Sequence, residues 1–196
     1  MKKLVPKDAV LIPEVAERVF RGQIFDVYQW QQKVFDSTDH TFEMLKRPDT
    51  VTVIPIASEK ILTLDEEQPH TGRRLSFPGG RVDANETDTL SAAKRETKEE
   101  TGYEFDNWKL VNVIQPHSKL EWFIYFYIAW DGKKTAEPHL DAGEKIILKE
   151  LSFEEAKNFV VTKSGYLGES MEVFENVDDL HGLLDLPEFQ GERVDR

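Results

Sequence analysis

Apolar and polar positions alternate with a period of two through much of the first third of the chain. In IFDVYQWQQKVF (24–35) the residues Ile24, Tyr28, Trp30 and Val34 share one side, which predicts a strand. TFEMLKR (41–47) is placed to pair with it, the polar FDSTDH stretch (35–40) making the turn. DTVTVIPIA (49–57) is rich in β-branched residues, and KILTLDE (60–66) follows after a short polar turn, which predicts a hairpin leading into the core. LSFPGG (75–80) predicts a short strand stopped by Pro78-Gly79-Gly80. KLVNVIQP (109–116), LEWFIYFYIAW (120–130) and EKIILKEL (144–151) predict further strands, the second of them core throughout.

The period changes between these runs. From about Asp88 to Thr101 the spacing is helical: Thr87 or Asp88 is the cap, Leu90, Ala93 and Thr97 line the buried side, and Gly102 suits the C′ position. SFEEAKNFV (152–160) opens with Ser152 and Glu155 in capping-box spacing, so a second helix starts there. Beyond about residue 161 a helix from Met171 to Leu183 and a polar tail are expected. The order is strands, one helix, strands, one helix. This disfavours a doubly wound parallel sheet and predicts a mixed α/β sandwich, α+β in kind.

Composition narrows the function. The 196 residues suggest one domain with a small extension, and 39% apolar residues with 12 Phe suffice for a sizeable core. A formal charge of −12 argues against non-specific attraction to nucleic acid or anionic membrane, although a divalent cation still lets an acidic protein hold phosphates. With no cysteine, disulfides and thiolate metal sites are excluded. The opening stretch, broken by Pro6, Lys7, Asp8 and Pro13, is too interrupted for a signal-peptide core, and the 11-residue run at 120–130 is too short for a membrane helix. A soluble cytoplasmic protein is expected.

The chemistry concentrates in RETKEETG (95–102). Glu96, Glu99 and Glu100 fall on one helix face, where like charges repel by about 0.2–0.5 kcal/mol per pair. A solvated face is the ordinary explanation of such a run. Against it, no Glu precedes a Lys by four in this helix, and the cluster follows Pro78-Gly79-Gly80, where backbone can approach a ligand closely and offer a carbonyl. Carboxylates plus a carbonyl oxygen are what Mg²⁺ or Mn²⁺ requires.

GRVDANETDTLSAAKRETKEETGY (80–103) resembles the signature of the Nudix hydrolases. Gly80 and Glu86 keep the first spacing of that box, and Arg95, Glu96, Glu99, Glu100 and Gly102 keep the last. Between Glu86 and Arg95 stand eight residues, one more than in the family pattern, and Thr97 and Tyr103 replace aliphatics. The extra residue falls in TDTLS, before the helix, and leaves the carboxylate face unshifted.

The resemblance implies a Nudix-type α/β/α sandwich with a mixed sheet. It also implies a Mg²⁺-dependent hydrolase (Mn²⁺ substituting) that cleaves a nucleoside diphosphate linked to another group. Glu96, Glu99 and Glu100 would be metal ligands, joined by the carbonyl of Gly79 or Gly80. Glu99 would serve equally to orient the attacking water. Arg95 counts among the catalytic candidates, with an ion pair to Glu86 that holds loop on helix as its plainer role. In the subfamily acting on ADP-ribose, an acidic loop before a late strand supplies a glutamate. EPHLDAGEKI (137–146) is that loop here, with Glu144 the candidate base and Glu137 and Asp141 its rivals.

Residues 1–48 exceed what a minimal Nudix domain carries before its first core strand. In that subfamily such a segment forms a small N-terminal antiparallel sheet and pairs two subunits. A homodimer is therefore expected, with 1–48 the dimerisation segment and 49–196 the Nudix domain. Trp30 is a candidate for stacking on the base, Arg47 and Arg74 for the phosphate or sugar, and Glu121 for a substrate contact at the start of its strand. The expected reaction gives a nucleoside monophosphate and a sugar phosphate. The alternatives are a nucleoside triphosphate or dinucleoside polyphosphate pyrophosphatase, and a non-catalytic Nudix-fold nucleotide-binding module.

Overall fold

The computed structural model describes residues 2–68, 72–139, 145–162 and 171–195. In chain order these form β1 (Lys2–Val5), β2 (Glu17–Arg21), β3 (Asp26–Lys33), β4 (Asp39–Lys46), β5 (Thr50–Ala57), β6 (Lys60–Gln68), β7 (Gly72–Ser76), β8 (Gly79–Arg81), α1 (Thr89–Thr101), β9 (Tyr103–Ile114), β10 (Leu120–Glu121), β11 (Ile124–Lys134), β12 (Lys145–Leu151), α2 (Phe153–Thr162), α3 (Met171–Phe174), α4 (Leu180–Asp185) and β13 (Glu192–Asp195). They divide into two compact units. One comprises Met1–Asp49, Ile114–Ile124 and Gln190–Arg196, the other Thr50–Val113 and Tyr125–Phe189.

The first unit holds a sheet in the order β10-β4-β3-β2, with β2, β3 and β4 antiparallel and β10 parallel to β4. The predicted hairpin is present, and its register sets Trp30 opposite Phe42 and Tyr28 opposite Met44. Its turn is closed by Asp36, whose carboxylate accepts the Thr38 amide at 3.0 Å, with Ser37 in the left-handed region (φ 68°). Strand β2 was not predicted: all five of its residues are exposed, so no buried side marks it in the sequence. Part of the expected polar tail is β13, paired antiparallel with β1.

The run LEWFIYFYIAW is not one strand. Asp49, buried, takes the Phe123 amide at 3.1 Å and an ion pair from Lys3 at 2.6 Å. That amide is withdrawn from any ladder, so the run divides into β10 and β11, which lie in different sheets.

The second unit is built on a sheet in the order β12-β6-β5-β11-β9, with β7 on β6 and β8 on β5. The β5–β6 hairpin turns at Ser58 and Glu59, both at positive φ (49° and 61°), the hand that matches strand twist. Val53, Ile54, Ile61, Leu64, Tyr125, Phe126 and Ile128 are fully buried and form its core. Strand β8 runs through Gly79 and Gly80, which were expected to end a strand rather than make one.

Helix α1 packs on β5 and β8 through Ala92, Ala93, Thr97 and Thr101, all completely buried. Asp88 is the cap, its carboxylate accepting the Ser91 amide at 2.8 Å, and Gly102 ends the helix at φ 75° with its amide on the Lys98 carbonyl. Helix α2 opens on the expected capping box: the Ser152 amide donates to Glu155 at 2.8 Å, and the Glu155 amide donates to the Ser152 hydroxyl at 3.3 Å. The helix expected from Met171 to Leu183 is divided. The chain turns after Phe174, and Asp179 caps a new start by accepting the Gly182 amide at 2.8 Å. Among the described residues no helix is long and apolar enough to cross a membrane.

Thr97 occupies a place where the Nudix pattern has an aliphatic, and among the described residues its buried hydroxyl oxygen has no hydrogen-bond partner. A buried hydroxyl left so costs about 1–3 kcal/mol. Thr97→Val keeps the branched shape and removes that cost. It is expected to raise the melting midpoint by about 2–4 °C for each kcal/mol recovered. A lower midpoint in calorimetry would show that the hydroxyl is satisfied.

Candidate active site

The second unit brings one edge of α1 against β8. Pairing of β8 with β5 sets Gly80 opposite Val51 and Gly79 opposite Thr52. A Cβ at Gly79 would collide with the Val51 carbonyl, and one at Gly80 would collide with the Glu96 carboxylate. Glycine at both places is what lets the carboxylate lie directly on backbone. The Gly79 amide donates to Glu100 Oε2 at 2.8 Å, fixing the second carboxylate on the same strand.

Arg95 organises the rest. Its Nε donates to Glu86 Oε1 at 2.9 Å and its Nη2 to the Arg81 carbonyl at 2.9 Å. Its Nη1 faces Glu96 Oε1 at 2.9 Å and Glu99 Oε2 at 3.1 Å. One guanidinium therefore ties together helix, loop and the end of β8. Glu86 in turn accepts the Asp83 amide at 2.7 Å. Burial pushes the Glu96 carboxyl above the usual carboxylate range, with the neighbouring Arg95 opposing that rise. The same carboxylates raise Arg95 further, so it stays charged.

The repulsion expected among Glu96, Glu99 and Glu100 is thus partly offset within the protein itself. Among the described residues no three acidic or histidine side chains converge on one point: Glu96 and Glu99 share Arg95, while Glu100 turns to Gly79. The donor set still fits a hard divalent cation. Three carboxylates stand within a turn of helix, and Glu96 and Glu100 lie directly against the Gly79–Gly80 backbone, whose carbonyls are further oxygen donors.

The remaining candidates are distributed as follows. Arg74 lies on β7 and is ion-paired with the buried Glu66 across the β6–β7 ladder. Trp30, Arg47 and Glu121 belong to the first unit. Trp30 is half-buried, 6.0 Å from the Phe42 ring, and donates to Gln32 at 3.0 Å. The Arg47 guanidinium lies over Trp122, 4.4 Å from the ring centroid. Glu121, expected to contact substrate, is only 1% exposed. Its carboxylate accepts the Ile12 amide at 2.8 Å and pairs with Lys46 at 2.6 Å, so both oxygens hold this unit together. Glu144 and Asp141 lie outside the described residues. Glu137 is described, and pairs with Lys134 at 2.9 Å.

The sequence did not point to the attachment of residues 135–139. The Thr135 and Ala136 amides donate to the Gly102 carbonyl at 2.9 and 3.1 Å, and the His139 amide donates to the Glu99 carbonyl at 2.7 Å. No local pattern signals contacts between stretches more than thirty residues apart. A groove of about 1000 Å³ in the same unit, lined in part by Trp130, Phe153, His181 and Leu184, includes none of the box residues.

A NUDIX domain model matches residues 46–167, more than half of the chain. The chain belongs to the Nudix family, and it is a Nudix pyrophosphohydrolase. Enzymes of this family generally use divalent metal ions. The fold is also that of the crystal structure of an ADP compounds hydrolase, with a TM-score of 0.66 at 19% identity over 88% of this chain and 94% of that one. Comparison with curated proteins gives no match.

Proposed function

We propose that this protein hydrolyses the pyrophosphate linkage of ADP-ribose or a related nucleoside diphosphate sugar, releasing a nucleoside monophosphate and a sugar phosphate. The observation that carries the reading is the seating of Glu96 and Glu100 on the Gly79–Gly80 strand, beside Glu99 and Arg95. The substrate class is supported by the ADP compounds hydrolase fold, which covers 88% of the chain and so extends beyond the matched residues 46–167.

In this reading Glu96, Glu99 and Glu100, with the Gly79 or Gly80 carbonyl, hold Mg²⁺, and Mn²⁺ substitutes. When bound, the metal neutralises phosphate charge and acidifies water. Arg95 keeps Glu96 and Glu99 aligned through its bonds to Glu86 and the Arg81 carbonyl. Glu144 takes the water's proton, with Glu137 and Asp141 as the other acids of that loop. Within the second unit Arg74 is the candidate cation for phosphate, and Trp30 and Arg47 of the first unit are kept as candidates for base and phosphate binding.

Incubation of ADP-ribose with the enzyme and Mg²⁺ is expected to yield AMP and ribose phosphate. Pyrophosphate release from nucleoside triphosphates, with ADP-ribose untouched, would replace this reading. Glu144→Gln is expected to lower kcat by about a hundredfold or more with KM little changed, because a base acts in the transition state. A loss confined to KM would move the role to Glu137 or Asp141.

We also propose a homodimer formed through the first unit. Val15, Val19, Phe20, Ile24 and Phe35 are all more than half exposed there, apolar side chains that pairing of two subunits would cover. Light scattering at micromolar concentration is expected to give twice the 22.7 kDa chain mass, and Phe20→Asp combined with Ile24→Asp to give monomer. A monomeric parent would contradict the proposal.

A further inference from the structure

We propose that the groove of about 1000 Å³ in the second unit binds a linear aliphatic polyamine, at a site separate from the carboxylates of α1. The groove touches β5 at Ile56, whereas β8 pairs with β5 at Thr50–Thr52. Four strand residues, about 13 Å, separate the two places.

The floor of the groove is apolar and built in position. Trp130, Phe153 and Leu184 line it. Lys109, which does not line the groove, holds the floor from outside: its Nζ lies 5.8 Å from the Trp130 ring centroid and donates to the carbonyls of Leu184 and, at 2.9 Å, Leu186. One ammonium thus joins the ring to the end of α4. The indole ring attracts an ammonium group through its π face.

The rim is acidic. Among the described residues the lining carries the carboxylates of Glu59, Asp106, Asp131, Glu154, Asp178 and Asp179, against Lys133 and His181 as its basic groups. Lys133 is paired with Asp106 at 3.0 Å, and Asp178 lies 3.8 Å from Lys157. Glu59, Asp131, Glu154 and Asp179 have no ion-pair partner among the described residues.

Floor and rim together select the occupant. A phosphate or a nucleotide is repelled by this rim. A compact metal ion is not served either, because no three acidic or histidine side chains converge on one point among the described residues. An extended cation satisfies both surfaces: its ammonium groups reach separated carboxylates while its methylene stem lies on the apolar floor. A lysine-rich peptide offers the same ammonium groups, but it adds backbone N–H and C=O groups that an apolar floor leaves unpaired. A polyamine carries no such groups, and the groove has the size of a small-molecule site.

Calorimetric titration with spermine, in millimolar Mg²⁺ and moderate salt, tests the site. The parent is expected to bind one spermine per chain with a Kd on the order of micromolar, and the diamine putrescine at least about tenfold more weakly. Glu59→Gln combined with Glu154→Gln, both at exposed positions, should weaken spermine binding by about fivefold to tenfold. Trp130→Leu should weaken it as well. Glu14→Gln combined with Glu17→Gln removes the same charge from the first unit, and Glu100→Gln removes one charge from the carboxylate site. Each should leave Kd within about twofold of the parent. Equal weakening by the Glu14 and Glu17 changes would reduce the binding to general attraction by an acidic protein and overturn the proposal. Weakening in Glu100→Gln would overturn it too, by placing spermine on the carboxylates of α1. So would a parent Kd above about 1 mM, or putrescine binding as tightly as spermine. Tetralysine binding more tightly than spermine would assign the groove to a peptide instead.

Discussion

The candidate site depends on one guanidinium. Arg95 reaches Glu86 in the loop, the Arg81 carbonyl at the end of β8, and Glu96 and Glu99 on its own helix. Without it, α1 would present crowded carboxylates to a strand whose Gly79 amide reaches Glu100. With it, Glu96 and Glu99 are held in an ordered form, as the proposed cation site requires. Arginine suits this role because its planar fork addresses several oxygens at once and never gives up its proton. The same bonds explain why Glu86 and Arg95 stand at fixed places around a loop that tolerates an extra residue. The pair closes across residues 87–94, of which those from Thr89 onward already belong to α1.

Backbone does the complementary work. Gly79 and Gly80 allow a carboxylate to rest on a strand, and Gly102 allows a second segment to rest on the helix end. Each is a place where a missing Cβ makes a close approach possible, and each borders the same helix. Rigid secondary structure thus carries the acidic residues, and the loops that serve them are attached by main-chain bonds.

What was legible in the sequence was local. The limits of α1, its Asp88 and Gly102 caps and the Ser152–Glu155 box rest on contacts within a few residues, so spacing revealed them. The carboxylate face was legible for the same reason. Contacts distant in sequence were not. The division of LEWFIYFYIAW depends on Asp49, 74 residues away, and the burial of Glu121 depends on the Ile12 amide, 109 residues away. Strand β2 left no signal because it buries no side, and β13 because a single apolar residue, Val194, cannot show a period. Glu121 looked like a ligand contact from its place in a strand, whereas its charge is used to hold the first unit together.

The central claim is that Glu96, Glu99 and Glu100 are held together for a metal rather than for the fold. Thermal melting of the parent and Glu100→Gln, each with EDTA and with millimolar Mg²⁺, tests it most directly. The glutamine oxygen still accepts the Gly79 amide, so the main change is one lost charge. Without metal the variant should be as stable as the parent or slightly more so, since relief of like-charge repulsion is worth about 0.2–0.5 kcal/mol per pair. With Mg²⁺ at tenfold excess over Kd the parent should gain about 1.4 kcal/mol and the variant less, reversing the order. Equal destabilisation of Glu100→Gln with and without metal would contradict the account and make these carboxylates part of the fold's own ion pairing.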